Sequence, residues 1–216
     1  MPRGPRGRAA MTDRPLFEDE QLTLVDDHDR PVGRASKRDC HLGDGRTHRA
    51  FSTVLVDPAG RLLLARRASA KPLWPGFWDA TVASHPRPDE GYAEAADRRV
   101  REELGAATQS ELGQRFRYRI AYREVGYEDE LCAALIGTVD PDRPLAPVPG
   151  EIDALRWVEA DALARELEGR SSSIAPWMPL TLLGLPDPLP FDRETLDAAC
   201  RRWLEGETFA TPYRFL

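Results

Sequence analysis

Apolar residues along this chain fall mainly into short alternating or continuous runs, with few stretches at helical spacing. Gln21–Val25 and Pro31–Ala35 read as two strands joined by the polar turn Asp26-Asp27-His28-Asp29, and a polar connection runs from Cys40 to Arg46. Ala50–Val56 and Arg61–Arg67 read as a hairpin, because Asp57-Pro58-Ala59-Gly60 is strong turn chemistry. Trp78–His85 reads as a further strand. Residues 92–104 carry the acidic-basic pattern of an amphipathic helix that Gly105 stops at its C-terminal end. Arg115–Tyr122 and Glu128–Thr138 predict two strands, followed by a proline-rich link over 141–149. Ala154–Val158 predicts a strand that runs into an acidic helix at 160–168. The tail predicts two helices, Ile174–Leu185 and Arg193–Leu204, separated by a proline-rich linker. There is no internal repeat. Strands mixed with a few helices, without a βαβ rhythm, predict an α+β domain of mixed sheet packed between helices.

Composition narrows this picture. At 216 residues and 41% apolar content the chain can build one sizeable core. We expect a disordered leader at 1–20 (with Met11 as an alternative start), a main domain at 21–185 and a C-terminal helical extension at 186–216. A net charge of −6 argues against a general nucleic-acid binder. No apolar run reaches the ~18 residues of a membrane span, and MPRGPRGRAA lacks the apolar core of a signal peptide. Three widely spaced cysteines, Cys40, Cys132 and Cys200, predict reduced thiols and a cytoplasmic setting. Of the 30 basic residues only Lys37 and Lys71 are lysine, which singles these two out.

Two groups of residues carry candidate chemistry. His41 and His48 flank Leu42–Thr47, His85 ends a predicted strand, and Glu128 and Glu130 are spaced to share one strand face. Three imidazoles and two carboxylates suit Mg2+, Mn2+ or Zn2+. By spacing alone, surface histidines beside a solvated acidic edge are the favoured reading. In the helix at 92–104, Arg99 and Glu103 lie four apart on one face. A carboxylate beside a guanidinium suits a phosphate bridged by a hard cation.

The segment from Ser84 resembles the Nudix box. It runs Ser84, five residues, Glu90, seven residues, then Arg98-Arg99-Val100-Arg101-Glu102-Glu103-Leu104-Gly105-Ala106. Ser84 stands where that pattern opens with glycine, and Arg99 stands where it has its first glutamate after the arginine. Arg99, the flanking Trp74-Pro75-Gly76-Phe77-Trp78, His85-Pro86-Arg87-Pro88-Asp89-Glu90, Phe116–Arg119 and Glu128–Glu130 resemble the type I isopentenyl-diphosphate isomerases, from about Leu22 to about Leu180.

The resemblance implies a Nudix-type fold, mixed β-sheets sandwiched between helices, with N-terminal strand and C-terminal helix extensions. It implies a metal site of His41, His48, His85, Glu128 and Glu130 holding Mn2+, Mg2+ or Zn2+. It also implies a diphosphate clamp of Lys37, Arg67, Lys71 and Arg99, with Glu103 holding Mg2+. Trp177 would present its ring to a carbocation, with Trp74 and Trp78 as further aromatic positions. The implied substrate is a small-molecule prenyl diphosphate, and the implied assembly a monomer or weak homodimer, with no nucleic-acid or membrane partner.

The reaction shifts a double bond, so it protonates one carbon and deprotonates another. Glu130 and Tyr118 match the family's groups on one face. On the other, the family's N-x-x-C-G-H-P reads Ala80-Thr81-Val82-Ala83-Ser84-His85-Pro86. Ala83 replaces a cysteine, and a methyl group transfers no proton. Ser84 points the other way along a strand. The sequence therefore predicts an isomerase-like enzyme of weak turnover. The alternatives are a proton-initiated prenyl cyclase, a Nudix phosphohydrolase, or a diphosphate-binding protein without activity.

Overall fold

The computed structural model describes residues 20–171 and 173–216. The expected leader, residues 1–20, lies outside them except for Glu20. Strand β1 (Gln21–Val25) pairs antiparallel with β2 (Pro31–Ser36), and a short helix α1 (Lys37–His41) follows. Helix α1 replaces the first part of the expected polar connection: the Ser36 side chain accepts from Asp39 N and caps its start.

Strands β3 (His48–Val56) and β4 (Leu62–Arg67) form the expected hairpin. Asp57 Oδ1 accepts from Ala59 N and Arg61 N in the turn, and Gly60 takes the positive φ that closes it. Strand β8 (Gly126–Thr138) lies parallel to β3 and antiparallel to β7 (Glu111–Tyr122). The sheet runs β10-β7-β8-β3-β1-β2, where β10 is Thr211–Phe215, with β4, β6 (Val82–Ser84) and β9 (Ile152–Val158) joined through β3 and β4.

The expected single strand Trp78–His85 is two pieces, β5 (Trp78–Asp79) and β6 (Val82–Ser84). The first pairs with β4 and the second with β3. Thr81 makes the crossing. Its hydroxyl accepts from Leu55 N and donates to Leu63 O, so the chain is tied to both strands where it changes partner.

Helix α2 (Tyr92–Leu104) has the predicted bounds and ends at Gly105, whose φ is 66°. It covers one sheet face with Ala95, Ala96, Val100 and Leu104 against Phe51, Leu55, Ala133 and Leu135. Helices α3 (Ala160–Glu168), α4 (Met178–Leu183) and α5 (Glu194–Leu204) cover the other face, over Val54, Leu64, Phe116, Cys132 and Ala134. Alternate residues of β3, β4 and β8 thus feed two separate apolar layers, and the fold is α+β with mixed sheet between helices.

Two features of the tail differ from expectation. Helix α4 is shorter than Ile174–Leu185, because Ser173–Ala175 runs beside Trp78 instead: Trp78 N donates to Ser173 O and Ala175 N to Trp78 O. The tail also ends in a strand, β10 (Thr211–Phe215), antiparallel to β7. Pro212 and four exposed positions hid it from a periodicity reading, yet proline is tolerated on such an edge. Helix α5 shares the main core through Leu196, Ala199, Cys200, Trp203 and Leu204.

One close approach fixes α1 against β8. A Cβ on Gly126 would collide with the carbonyl oxygen of His41 and lie 3.0 Å from its carbon. Gly126→Ala should therefore lower stability by ~1–3 kcal/mol, the usual cost of overpacking. The check is a lower urea midpoint with an unchanged m-value.

Candidate active site

Strand register builds the centre of the site. In the parallel β3·β8 pair His48 lies opposite Glu130, and in the antiparallel β7·β8 pair Tyr118 lies opposite the same glutamate. Ser84 pairs with Phe51, so His85, the next residue, leaves β6 toward His48. Helix α1 delivers His41, the fourth member, beside β8.

The four converge. One ligand atom each from His41, His48, His85 and Glu130 lies within 4.8 Å of the others, and all four residues are buried. The three imidazole centroids are 4.7–5.0 Å apart. His48 Nε2 is 3.6 Å and His85 Nε2 3.4 Å from Glu130 Oε1. Glu128 falls outside this tightest group but is adjacent, with Oε2 3.4 Å from His41 Nε2. His28, the remaining histidine, lies exposed in the β1–β2 turn.

These residues fit a divalent cation. Nδ1 of His41 is 2.7 Å from Lys37 O and Nδ1 of His48 is 2.7 Å from Arg46 O, the arrangement that orients Nε2 toward a metal. His48 Nε2 and both ring nitrogens of His85 are buried without a hydrogen bond. Buried polar atoms rarely stay unsatisfied, so these call for a ligand. The donor set is imidazole and carboxylate, suited to a borderline or hard divalent ion.

Protonation favours the same reading. Burial holds His41 well below the ordinary imidazole value and brings His85 down to about 4, so both rings are neutral near pH 7. Burial works to raise Glu130, but its contacts with His48 and His85 outweigh it and hold the carboxyl well below the usual range. Glu128 is pushed well above it by burial and by the Glu130 charge.

Tyr118 links this cluster to the aromatic wall. Its hydroxyl is 2.6 Å from Glu130 Oε2, and its ring stacks on Trp177 at 6.1 Å. Trp177 in turn meets Trp74 edge-on at 5.1 Å and carries the Arg67 guanidinium 5.2 Å from its ring centre. Trp74 is core. Trp78 lies apart, stacked with Arg66 and Arg156.

Beside Arg67 opens a small cleft lined by Arg67, Lys71, Asp79, Ala83, Glu103 and Glu151 among others. Lys71 Nζ is 2.5 Å from Glu151 Oε2. Arg99 binds Glu103 Oε1 through Nε at 2.9 Å and reaches Glu151 at 3.6 Å. Arg98 clasps Glu90 with two bonds of 2.7 Å and so ties the loop before α2 to its helix. Lys37 is not among the lining residues and pairs with Glu20 at 3.4 Å. Ser84 is buried and off the cleft, whereas Ala83 lines it.

Two acidic residues of the cleft escaped the sequence reading. Glu151 follows the proline-rich link, where nothing marks it. Asp79 had a signal: it is a lone acid inside the apolar run Phe77–Ala83. Its carboxylate accepts from Trp177 Nε1 at 3.0 and 3.2 Å and from Arg67 Nη1 at 3.3 Å.

The family model described as NUDIX domain matches residues 46–181. The solved structure of DR0079 from Deinococcus radiodurans shares the fold, with a TM-score of 0.59 at 21% identity over 76% of this chain and 99% of that one. The family model and the shared fold thus define a Nudix protein. Closer relatives narrow the class. The isopentenyl-diphosphate Delta-isomerase of Haloarcula marismortui is 38% identical over 76% of this chain and 89% of its own length. That of Nocardia farcinica is 41% identical over 73% and 89%. The chain belongs to the isopentenyl-diphosphate isomerase family of Nudix proteins.

The depressed imidazoles set an acid limit once metal is chelated away. Unfolded histidine titrates near 6.5 and folded His85 near 4, so between them the unfolded chain binds more protons. Stability contributed by His41 and His85 is therefore present above about pH 6.5 and lost as pH falls toward 4. Glu128, shifted upward, works in the opposite direction. With chelator, the melting temperature should fall between pH 6.5 and 4. In His85→Gln that slope should flatten.

Proposed function

We propose that the protein is an isopentenyl-diphosphate isomerase-like enzyme: it binds a prenyl diphosphate through divalent cations and protonates its alkene. The observation that carries this reading is the short bond from Tyr118 to Glu130, placed between the histidine cluster and the Trp177 ring. An acid at that point can deliver a proton to a double bond held against Trp177. The ring face then attracts the resulting cation by roughly 0.5–2 kcal/mol.

The ligands we assign are His41, His48, His85, Glu128 and Glu130, for Mn2+, Mg2+ or Zn2+. A divalent cation there supplies a positive field that polarises Glu130 and, through it, the Tyr118 hydroxyl. For the diphosphate we assign Arg67, Lys71 and Arg99, and Glu103 would hold a Mg2+ that offsets the phosphate charge. Lys37 joins them once released from Glu20. Arg99 fills the position of a metal-binding glutamate, which disfavours hydrolysis and favours anion binding. A second outcome, ring closure of a longer prenyl chain, draws support from Ala80 and Ala83, whose small side chains widen the cleft.

Product analysis by mass spectrometry with C5, C10 and C15 prenyl diphosphates tests this. Interconversion of isopentenyl and dimethylallyl diphosphates is the expected result. Phosphate release without a change of carbon skeleton or double-bond position would count for the hydrolase instead. Glu130→Gln should reduce turnover by ~10²–10⁴-fold, the usual share of general acid catalysis. Lys71→Ala should act mainly on KM.

A further inference from the structure

Moving a double bond takes two proton transfers, and Tyr118 with Glu130 accounts for one. The wall that holds Ala83 needs a group for the other. Among the residues lining the cleft, Glu103 and Glu151 are tied to Arg99 and Lys71 at its cationic end. Thr81 spends its hydroxyl on Leu55 N and Leu63 O. Ala65, Ala80, Ala83 and Ile152 have no ionisable atom. Asp79 is left. We propose that Asp79 is the proton acceptor on the Ala83 wall of the cleft, a catalytic residue that replaces the thiol this chain lacks. The inference rests on the isomerase reading and extends it to a residue that reading does not use.

The geometry supports the role. Asp79 lies in β5 opposite Ala65, which also lines the cleft. Its Oδ1 accepts from Ala80 N at 2.8 Å and from Trp177 Nε1 at 3.0 Å. Its Oδ2 takes a longer bond from Arg67 at 3.3 Å and shares the Trp177 proton at 3.2 Å. A carboxylate has about four acceptor positions, so Oδ2 retains room for a substrate proton. The same bonds place Asp79 against the ring assigned to the cation and the arginine assigned to the diphosphate. Its hydrogen bond from Trp177, the ring contact of Trp177 with Tyr118 and the Tyr118 hydrogen bond link it to Glu130. Burial pushes the Asp79 carboxyl above its ordinary value, against the pull of Arg67 and Trp177, which brings it nearer to the range useful at neutral pH.

The step balances. Glu130–Tyr118 gives one proton to the terminal alkene carbon and the cation forms at the adjacent carbon. The C–H bond beside the cation breaks, its electron pair forms the new double bond, and Oδ2 of Asp79 takes the proton. Solvent exchange afterwards returns Asp79 to the carboxylate and restores the proton on Tyr118–Glu130.

The test uses the full chain with Mg2+ and Mn2+. Asp79→Asn keeps an acceptor for Trp177 but cannot take up the proton. It should lose ~10²-fold or more in kcat, with KM and the affinity for inorganic diphosphate within about threefold of the parent. Adding Ala83→Cys to that variant should restore most of the loss. Ala83→Cys in the parent, with Asp79 in place, should raise kcat far less than the same change does in Asp79→Asn, because an acceptor is already present. A gain of ~10²-fold from Ala83→Cys alone would overturn the proposal, as would an unimpaired Asp79→Asn, a double variant that stays inactive, or a matching loss of diphosphate affinity. Parent protein inert toward C5, C10 and C15 diphosphates would overturn the isomerase reading and this proposal together. An active parent with an active Asp79→Asn would overturn only the latter.

Discussion

The site depends on the parallel pairing of β3 with β8. Because His48 lies across from Glu130 in that register, a single-residue slip would turn one of them to the opposite face. The antiparallel β7 adds Tyr118 at the same level, so three strands present an imidazole, a carboxylate and a phenol in one row. Parallel neighbours need a long connection, and here the connection holds much of the remaining machinery. Between β3 and β8 the chain delivers Arg67, Lys71, Asp79, His85, Arg99 and Glu103. The apolar layers on both faces, under α2 and under α3–α5, hold this register.

Burial gives the polar groups their character. Burial keeps the His41 and His85 imidazoles neutral, whereas Glu130 keeps its charge against burial through its contacts with His48 and His85. At the cleft the opposite balance holds: Lys71, Arg99, Glu103 and Glu151 are mutually compensated. On the proposed reading, a diphosphate entering there would meet cations already held in position by carboxylates, so ordering them would cost little side-chain entropy on binding.

Much of this was legible in the sequence, because spacing and chemistry coincided there. The helix Tyr92–Leu104 and its Gly105 stop were readable, since amphipathic spacing and a terminal glycine both report local preferences. The histidines and glutamates were legible as a set only through the motif pattern, since their meeting depends on strand register, which periodicity does not fix. Three things were hidden for physical reasons. The break at Thr81 comes from one hydroxyl serving two strands. Helix α1 is one short capped turn. Asp79 is visible as an oddity in an apolar run, but only the fold shows that Trp177 and Arg67 face it.

The terminal strand β10 has a consequence beyond its own packing. Without it, the long strand β7 would present a row of unpaired amides and carbonyls to solvent, a template for strand addition by another molecule. β10 occupies that margin for part of its length and offers Pro212 and exposed Arg214 in its place, one lacking a donor and the other charged. The last few residues therefore act as a guard against sheet-to-sheet aggregation, and shortening the chain there would bare the β7 margin on both sides of Tyr118.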